Sequence, residues 1–148
     1  MTILGGSPNS AGNDCTCCGP DELTVIYYWE QDDLDTVTTF CGASTGYACA
    51  GGPYMTYTGD DTGQRMYEKT VIDIGRAKAD RAWTSSTTII CRADTWGGSP
   101  GAASIEVTYR GRTETRDCSY GPSTGIGCNP NMTWIADIIV NADGTWRW

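Results

Sequence analysis

Asp32, Asp33 and Asp35 crowd one short stretch of this 148-residue chain, and Asp60 and Asp61 sit at a second, with Asp73 on the strand-like run after it. Carboxylates brought together from two loops offer the hard oxygen donors that Ca²⁺ prefers, roughly six to eight in a full shell. The competing reading is local: Asp favours turns because its side chain accepts from nearby backbone N–H groups. An EF-hand is excluded, since the spacing D-x-D-x-D-G is missing. Any Ca²⁺ site therefore has to be assembled from separate turns, and Ca²⁺ is the cofactor these carboxylates suggest.

Sulfur is the second chemistry. The chain has 8 Cys and no His. Cys41 with Cys49, and Cys118 with Cys128, bracket Gly-rich loops; a disulfide closing each bracket would contribute roughly 2–4 kcal/mol. Cys91 falls in a strand-like run and could take a partner from Cys15, Cys17 or Cys18, pinning the N-terminal residues. The alternative is zinc or iron–sulfur ligation through Cys15, Cys17 and Cys18. The C-x-C-C spacing lacks the paired C-x-x-C knuckles of zinc ribbons, and there is no His to complete a set. Disulfides are the expectation, with connectivity open.

Catalytic chemistry is poorly provided for. Without His, serine and cysteine hydrolases lose their usual general base. No Gly-rich phosphate loop carries the required Lys. A carboxylate pair such as Asp61 and Asp73 could run glycoside hydrolysis in principle, yet nothing distinguishes it from any other pair of acids. The expectation is that the protein is not an enzyme.

Aromatic residues are the remaining candidates. There are 6 Trp and 8 Tyr against one Phe, and Trp and Tyr suit interfaces that are apolar on one side and wet on the other. Tyr54, Tyr57, Trp96, Trp146 and Trp148 lie in or beside loops and at the chain end. They could stack on sugars or bury against another subunit. Trp29, Trp83 and Trp134 are expected in the core.

The elements that must position these groups are strands. Residues 23–30 alternate with bulk on both faces, the pattern of a central strand. Further strand-like runs cover residues 36–40, 54–58, 66–74, 87–94, 103–109, 134–140 and 145–148. The last two form a hairpin through Ala142, Asp143 and Gly144. Residues 42–53, 59–63, 96–101 and 118–131 read as loops, and residues 75–83 as a short helical crossover. Charged residues make up 19 % and the chain has 19 Gly, which suits short strands and turns rather than long helices. The predicted fold is a single all-β sandwich of jelly-roll or immunoglobulin-like type. It would have about eight short strands, cross-linked by disulfides. An extended arm, residues 1–20, precedes the sandwich of residues 21–148. The arm is small, polar and Gly-rich, so cysteines or a neighbouring subunit would have to hold it.

The net charge is −8, and Lys occurs only at Lys69 and Lys78. Nucleic acid would be repelled on average. No run approaches the roughly 20 apolar residues of a membrane span, and the N-terminal stretch lacks the basic and apolar regions of a signal peptide. Dense cysteines without an export signal fit a protein that leaves the cell by lysis, as virion proteins do.

The turn Asp33-Leu34-Asp35 after an apolar strand resembles bacterial pre-peptidase C-terminal-like and related sandwich domains. That resemblance implies a non-catalytic sandwich. In its general character the chain also resembles the small accessory proteins that tailed bacteriophages attach to their shells, being small, acidic, Thr/Gly-rich and cysteine-bearing. This implies a structural virion protein, decorating a capsid or forming part of a tail or fibre. It would contact copies of itself or other virion proteins through the arm and the edge at residues 145–148. The alternative is a carbohydrate-binding or adhesin module, stabilised by calcium, with glycans as partners. Either role belongs in a virion or outside the cell.

Overall fold

A computed structural model describes residues 20–148. The arm and Cys15, Cys17 and Cys18 lie outside the described residues, apart from Pro20. Ten strands and one short helix follow in order: β1 (Glu22–Tyr28), β2 (Leu34–Phe40), β3 (Ala43–Gly46), β4 (Met55–Tyr57), β5 (Tyr67–Asp73), α1 (Ile74–Ala79), β6 (Ser86–Thr95), β7 (Ala103–Tyr109), β8 (Arg112–Cys118), β9 (Thr133–Asn141) and β10 (Trp146–Arg147). They form two five-stranded antiparallel sheets, β4-β5-β1-β7-β8 and β10-β9-β6-β2-β3. The fold is the expected β-sandwich, with ten strands where about eight were expected.

The core lies between the sheets. Alternation sends Leu23, Val25 and Tyr27 of β1 and Ile105, Val107 and Tyr109 of β7 inward from one side. Phe40, Ile89, Cys91, Ile138 and Val140 meet them from the other. Burial of these side chains is the main favourable term for a sandwich of this kind. α1 is shorter than residues 75–83. It starts at Asp73, whose Oδ1 accepts from Arg76 N at 3.0 Å, and it seats Ile74 and Ala77 on the core. No helix among the described residues is long and apolar enough to cross a membrane.

Two strands were not legible. β3 pairs with β2 through Cys41 and Gly42, with φ of 49° and 79°. β8 pairs with β7 through Arg110 and Gly111, with φ of 49° and 77°. Both are two-residue hairpin turns with positive φ at each central residue, a conformation that Asn-Gly or Asp-Gly normally announces. Cys-Gly and Arg-Gly hide it. β8 is also exposed along most of its length, so it shows no inward apolar alternation.

Three assignments of side chains are corrected. Trp134 is exposed rather than in the core, while Trp29 and Trp83 are buried. The register between β6 and β9 slips at Cys91 and Arg92, so that Ala136 faces Cys91 and Trp134 faces Arg92. The bulge turns Trp134 off the inward face that Ala136, Ile138 and Val140 share. Trp146, expected at a docking edge, is buried with Arg112 stacked 4.2 Å from its ring. Trp148 packs edge-on against Trp146 and lies under Arg116.

The cysteine pairing is also corrected. Cys49 bonds to Cys128, not to Cys41, and Cys118 does not pair with Cys128. Cys41, Cys91 and Cys118 form no disulfide among the described residues. Cys41 is committed to the β2–β3 turn, where its sulfur lies 3.8 Å from Ala82 O. Cys118 ends β8, packed on the core.

Candidate functional site

The strand register sets the site. Tyr28 at the end of β1 lies beside Tyr67 at the start of β5 and Ser104 near the start of β7. In the second sheet, Leu34 at the start of β2 lies beside Thr95 at the end of β6. One end of the sandwich therefore collects the β1–β2 turn, the turn before β5, the β6–β7 loop, the β8–β9 loop and the segment after β3. These segments enclose a pocket of about 620 Å³, lined by Asp32, Asp33, Asp35, Asp60, Tyr47, Trp96 and Ile126 with Thr62, Gly97, Gly98 and Gly127.

The β1–β2 turn is held rigidly. Trp29 Nε1 donates to Asp32 O at 3.0 Å, and Asp32 adopts a left-handed φ of 56° that Asp tolerates better than most residues. The β6–β7 loop is strapped onto this turn. Glu30 N and Gln31 N donate to Pro100 O, Ser99 N donates to Asp32 Oδ2 at 2.9 Å, and Trp96 N donates to Asp33 O at 3.2 Å. Close approach needs glycine: a Cβ on Gly98 would stand 2.3 Å from Asp32 Oδ2, and one on Gly63 would stand 2.7 Å from Asp32 O.

The second acidic turn is clamped by Asp61. Its carboxylate accepts from Arg65 N at 2.9 Å and Met66 N at 2.9 Å, and pairs with the Arg65 side chain at 3.3 Å. Burial pushes Asp61 up, but these donors outweigh it and hold the carboxyl below the usual range. Asp61 N donates to Oε1 of Glu68 at 3.1 Å, and Thr36 Oγ1 donates to the other oxygen. Glu68 is fully buried, and that burial raises its carboxyl to about 8. The Tyr57 hydroxyl lies near Glu68 but, buried, makes no hydrogen bond of ordinary geometry.

Of the six candidate acids the structure brings three to one point. Single oxygens of Asp33, Asp35 and Asp60 all lie within 4.8 Å of one another. Asp32 lines the same pocket with one oxygen engaged by Ser99 N. Asp61 is engaged by its own turn. Asp73 caps α1 at the far end of β5 and takes no part. Burial raises Asp33 and Asp35 to about 6, with neighbouring carboxylates adding to the shift: Asp35, then Asp60, for Asp33, and Asp60, then Asp94, for Asp35. None of the residues lining the pocket is basic.

The rim is apolar. Trp96 is 55 % exposed, Tyr47 48 % and Ile126 75 %. The Cys49–Cys128 bond joins the segment of Tyr47 to the loop of Ile126, each two residues from its cysteine. Gly127 lets the two meet, since a Cβ there would stand 2.8 Å from Tyr47 O. Asp94 fastens the same loop to β6. It accepts from Thr124 N and Thr133 N, each at 3.1 Å, and from Thr124 Oγ1 at 2.5 Å.

Among the aromatic candidates only Trp96 lines the pocket. Tyr54, Tyr57 and Trp148 are half-buried elsewhere and Trp146 is in the core. Sequence reasoning missed Tyr47 and Ile126. Their flanking cysteines were the available signal, but only in the pairing that spans 79 residues.

Fold and pocket together define a β-sandwich with a rigid, acid-floored and aromatic-rimmed cavity at one end. No family model matches the chain, and no curated protein or solved structure matches it.

Proposed function

We propose that the protein is a non-catalytic recognition module that binds carbohydrate in this pocket. The observation that carries the reading is the exposure of Trp96 and Tyr47 over a floor of Asp32, Asp33, Asp35 and Asp60. Sugars present an apolar C–H face that packs on aromatic rings and a rim of hydroxyls that donate to carboxylates. A concave site with apolar walls and a few convergent polar groups suits such a ligand. Exposed aromatics grouped at one cavity are a functional signal, whereas scattered ones are not.

The accessory virion role is proposed as the setting for this module. The Cys49–Cys128 bond supports work in oxidising surroundings, where disulfides persist. Assembly contacts would then fall to the arm, residues 1–20, because Trp146 and Trp148 are spent on packing within the chain.

A glycan array tests the binding. Wild type is expected to retain a set of glycans, and Trp96→Ala and Tyr47→Ala to lose them by tenfold or more while melting normally. No retained glycan, or retention unchanged in both variants, overturns the reading. Release of reducing ends during the same incubation would replace a binding module with a hydrolase.

A further inference from the structure

The pocket floor holds a feature that glycan binding does not require. Asp35 is only 6 % exposed, faces the pocket, and has no hydrogen-bond partner for its carboxylate among the described residues. A buried carboxylate without a partner is costly, because desolvation is not repaid. Asp33 repeats the pattern more mildly: its Oδ1 is buried and also lacks a partner. Asp33 and Asp35, both drawn out of bulk water beside a third acid, Asp60, form an arrangement that a cation would complete.

We propose that Asp33, Asp35 and Asp60 together bind one Ca²⁺ ion. The donors are all carboxylate oxygens, which suit hard cations; zinc would call for the His and Cys ligands this set lacks. All three oxygens lie within 4.8 Å of one another, within the reach of a single ion with bonds of about 2.3–2.6 Å; Ca²⁺ accepts such irregular carboxylate sets, while Mg²⁺ demands a near-ideal octahedron and gives up its waters reluctantly. Three carboxylates leave positions in the Ca²⁺ shell for water or for ligand oxygens entering from the pocket. The scaffold is prepared for the ion. Asp33 and Asp35 are fixed by the strapped β1–β2 turn and the start of β2, and Asp60 by the clamp that Asp61 makes with Arg65 and Met66. The site stands whether or not the pocket takes a glycan.

Calorimetric titration of the metal-free full chain with CaCl₂ at neutral pH tests the proposal, alongside melting in Ca²⁺ and in Mg²⁺. Wild type should bind one Ca²⁺ and melt several degrees higher in millimolar Ca²⁺ than in equal Mg²⁺. Asp60→Asn, at an exposed position, should fold and bind at least tenfold more weakly. Asp35→Asn should also lose the ion, yet melt higher than metal-free wild type at neutral pH, since it removes a buried charge. Asp73→Asn, remote from the pocket, should bind like wild type. Absence of Ca²⁺ uptake by wild type, or equal affinity in wild type and Asp60→Asn, overturns the site. Running the glycan array in Ca²⁺ and in EDTA keeps the two readings apart. Glycan retained without Ca²⁺ uptake sinks the ion alone, and Ca²⁺ uptake without any glycan sinks the carbohydrate reading alone.

Discussion

The Tyr27 hydroxyl reaches across the core to the opposite sheet, donating to Val37 O at 3.1 Å and lying 2.8 Å from Thr38 Oγ1. Tyr27 is fully buried, so this is a polar link between the two sheets inside an apolar layer. Tyr27→Phe keeps the ring and deletes the link. It should cost roughly 1–2 kcal/mol, the value of a buried hydrogen bond plus the acceptors left unpaired. Urea unfolding of the two proteins measures it. An unchanged midpoint would mean that the hydroxyl contributes nothing to sheet pairing.

The Cys49–Cys128 bond closes a loop of 79 residues. In the chain-entropy account a loop of that length is worth about 4 kcal/mol, with about 2–4 kcal/mol the usual outcome. The double change Cys49→Ala, Cys128→Ala should lower stability by that amount. Hydrogen exchange should rise in the segments of Tyr47 and Ile126 more than in β1 or β7, whose core contacts do not involve the bond.

Glu68 gives stability a particular pH dependence. Burial lifts its folded carboxyl to about 8 from an ordinary 4.5. Between those values the unfolded chain has released the proton and the folded chain has kept it, so unfolding releases a proton and stability falls as pH rises. Asp33 and Asp35, lifted to about 6, act in the same direction up to that pH. The groups around Glu68 are the Thr36 hydroxyl, the Asp61 N–H, Tyr57 and Asp60, with no cation among the described contacts to reverse the sign. Metal-free protein should therefore lose urea resistance from pH 5 to pH 8.5. Glu68→Gln, which keeps a carbonyl to accept from Asp61 N and replaces the other oxygen with an amide that donates to Thr36 Oγ1, should be more stable than wild type by roughly 1–3 kcal/mol at pH 8.5. Equal slopes in the two proteins would show that Glu68 is ionised in the fold.

Gly97 and Gly98 separate backbone strain from contact. Both have positive φ, 66° and 56°, but a Cβ on Gly97 meets open space while one on Gly98 meets the Asp32 carboxylate. Gly97→Ala should cost about 1 kcal/mol from the left-handed conformation alone. Gly98→Ala should cost at least twice that and should also weaken ligand retention, because it pushes the β6–β7 loop off Asp32. Similar losses for both would make the contact irrelevant.

The fold was legible because alternation in β1 and β7 is a local property that neighbouring residues display. Turn chemistry failed at Cys41-Gly42 and Arg110-Gly111, where unusual residues adopt the hairpin conformation, and that failure concealed β3 and β8. Trp134 was misplaced because a bulge in its own strand, at Ile135 opposite the step from Cys91 to Arg92, breaks the period that sequence reading assumes. The site was half legible. Asp33, Asp35 and Asp60 stood out as carboxylates, but only the β1–β5 pairing decides that their turns meet and that Asp73 goes to the other end. Tyr47 and Ile126 could not be found, since a bond between residues 79 positions apart brings them together.

β8 closes one side of its sheet with Arg112, Glu114, Arg116 and Asp117 along its exposed length. Arg112 and Glu114 pair with each other on the strand, and Arg112 and Arg116 reach back to the carbonyls of Trp146 and Trp148. An unpaired strand border is the usual starting point for amyloid growth, and fixed charges of both signs frustrate the stacking that it requires. Many copies crowded side by side would then stay separate and soluble instead of zipping into fibrils.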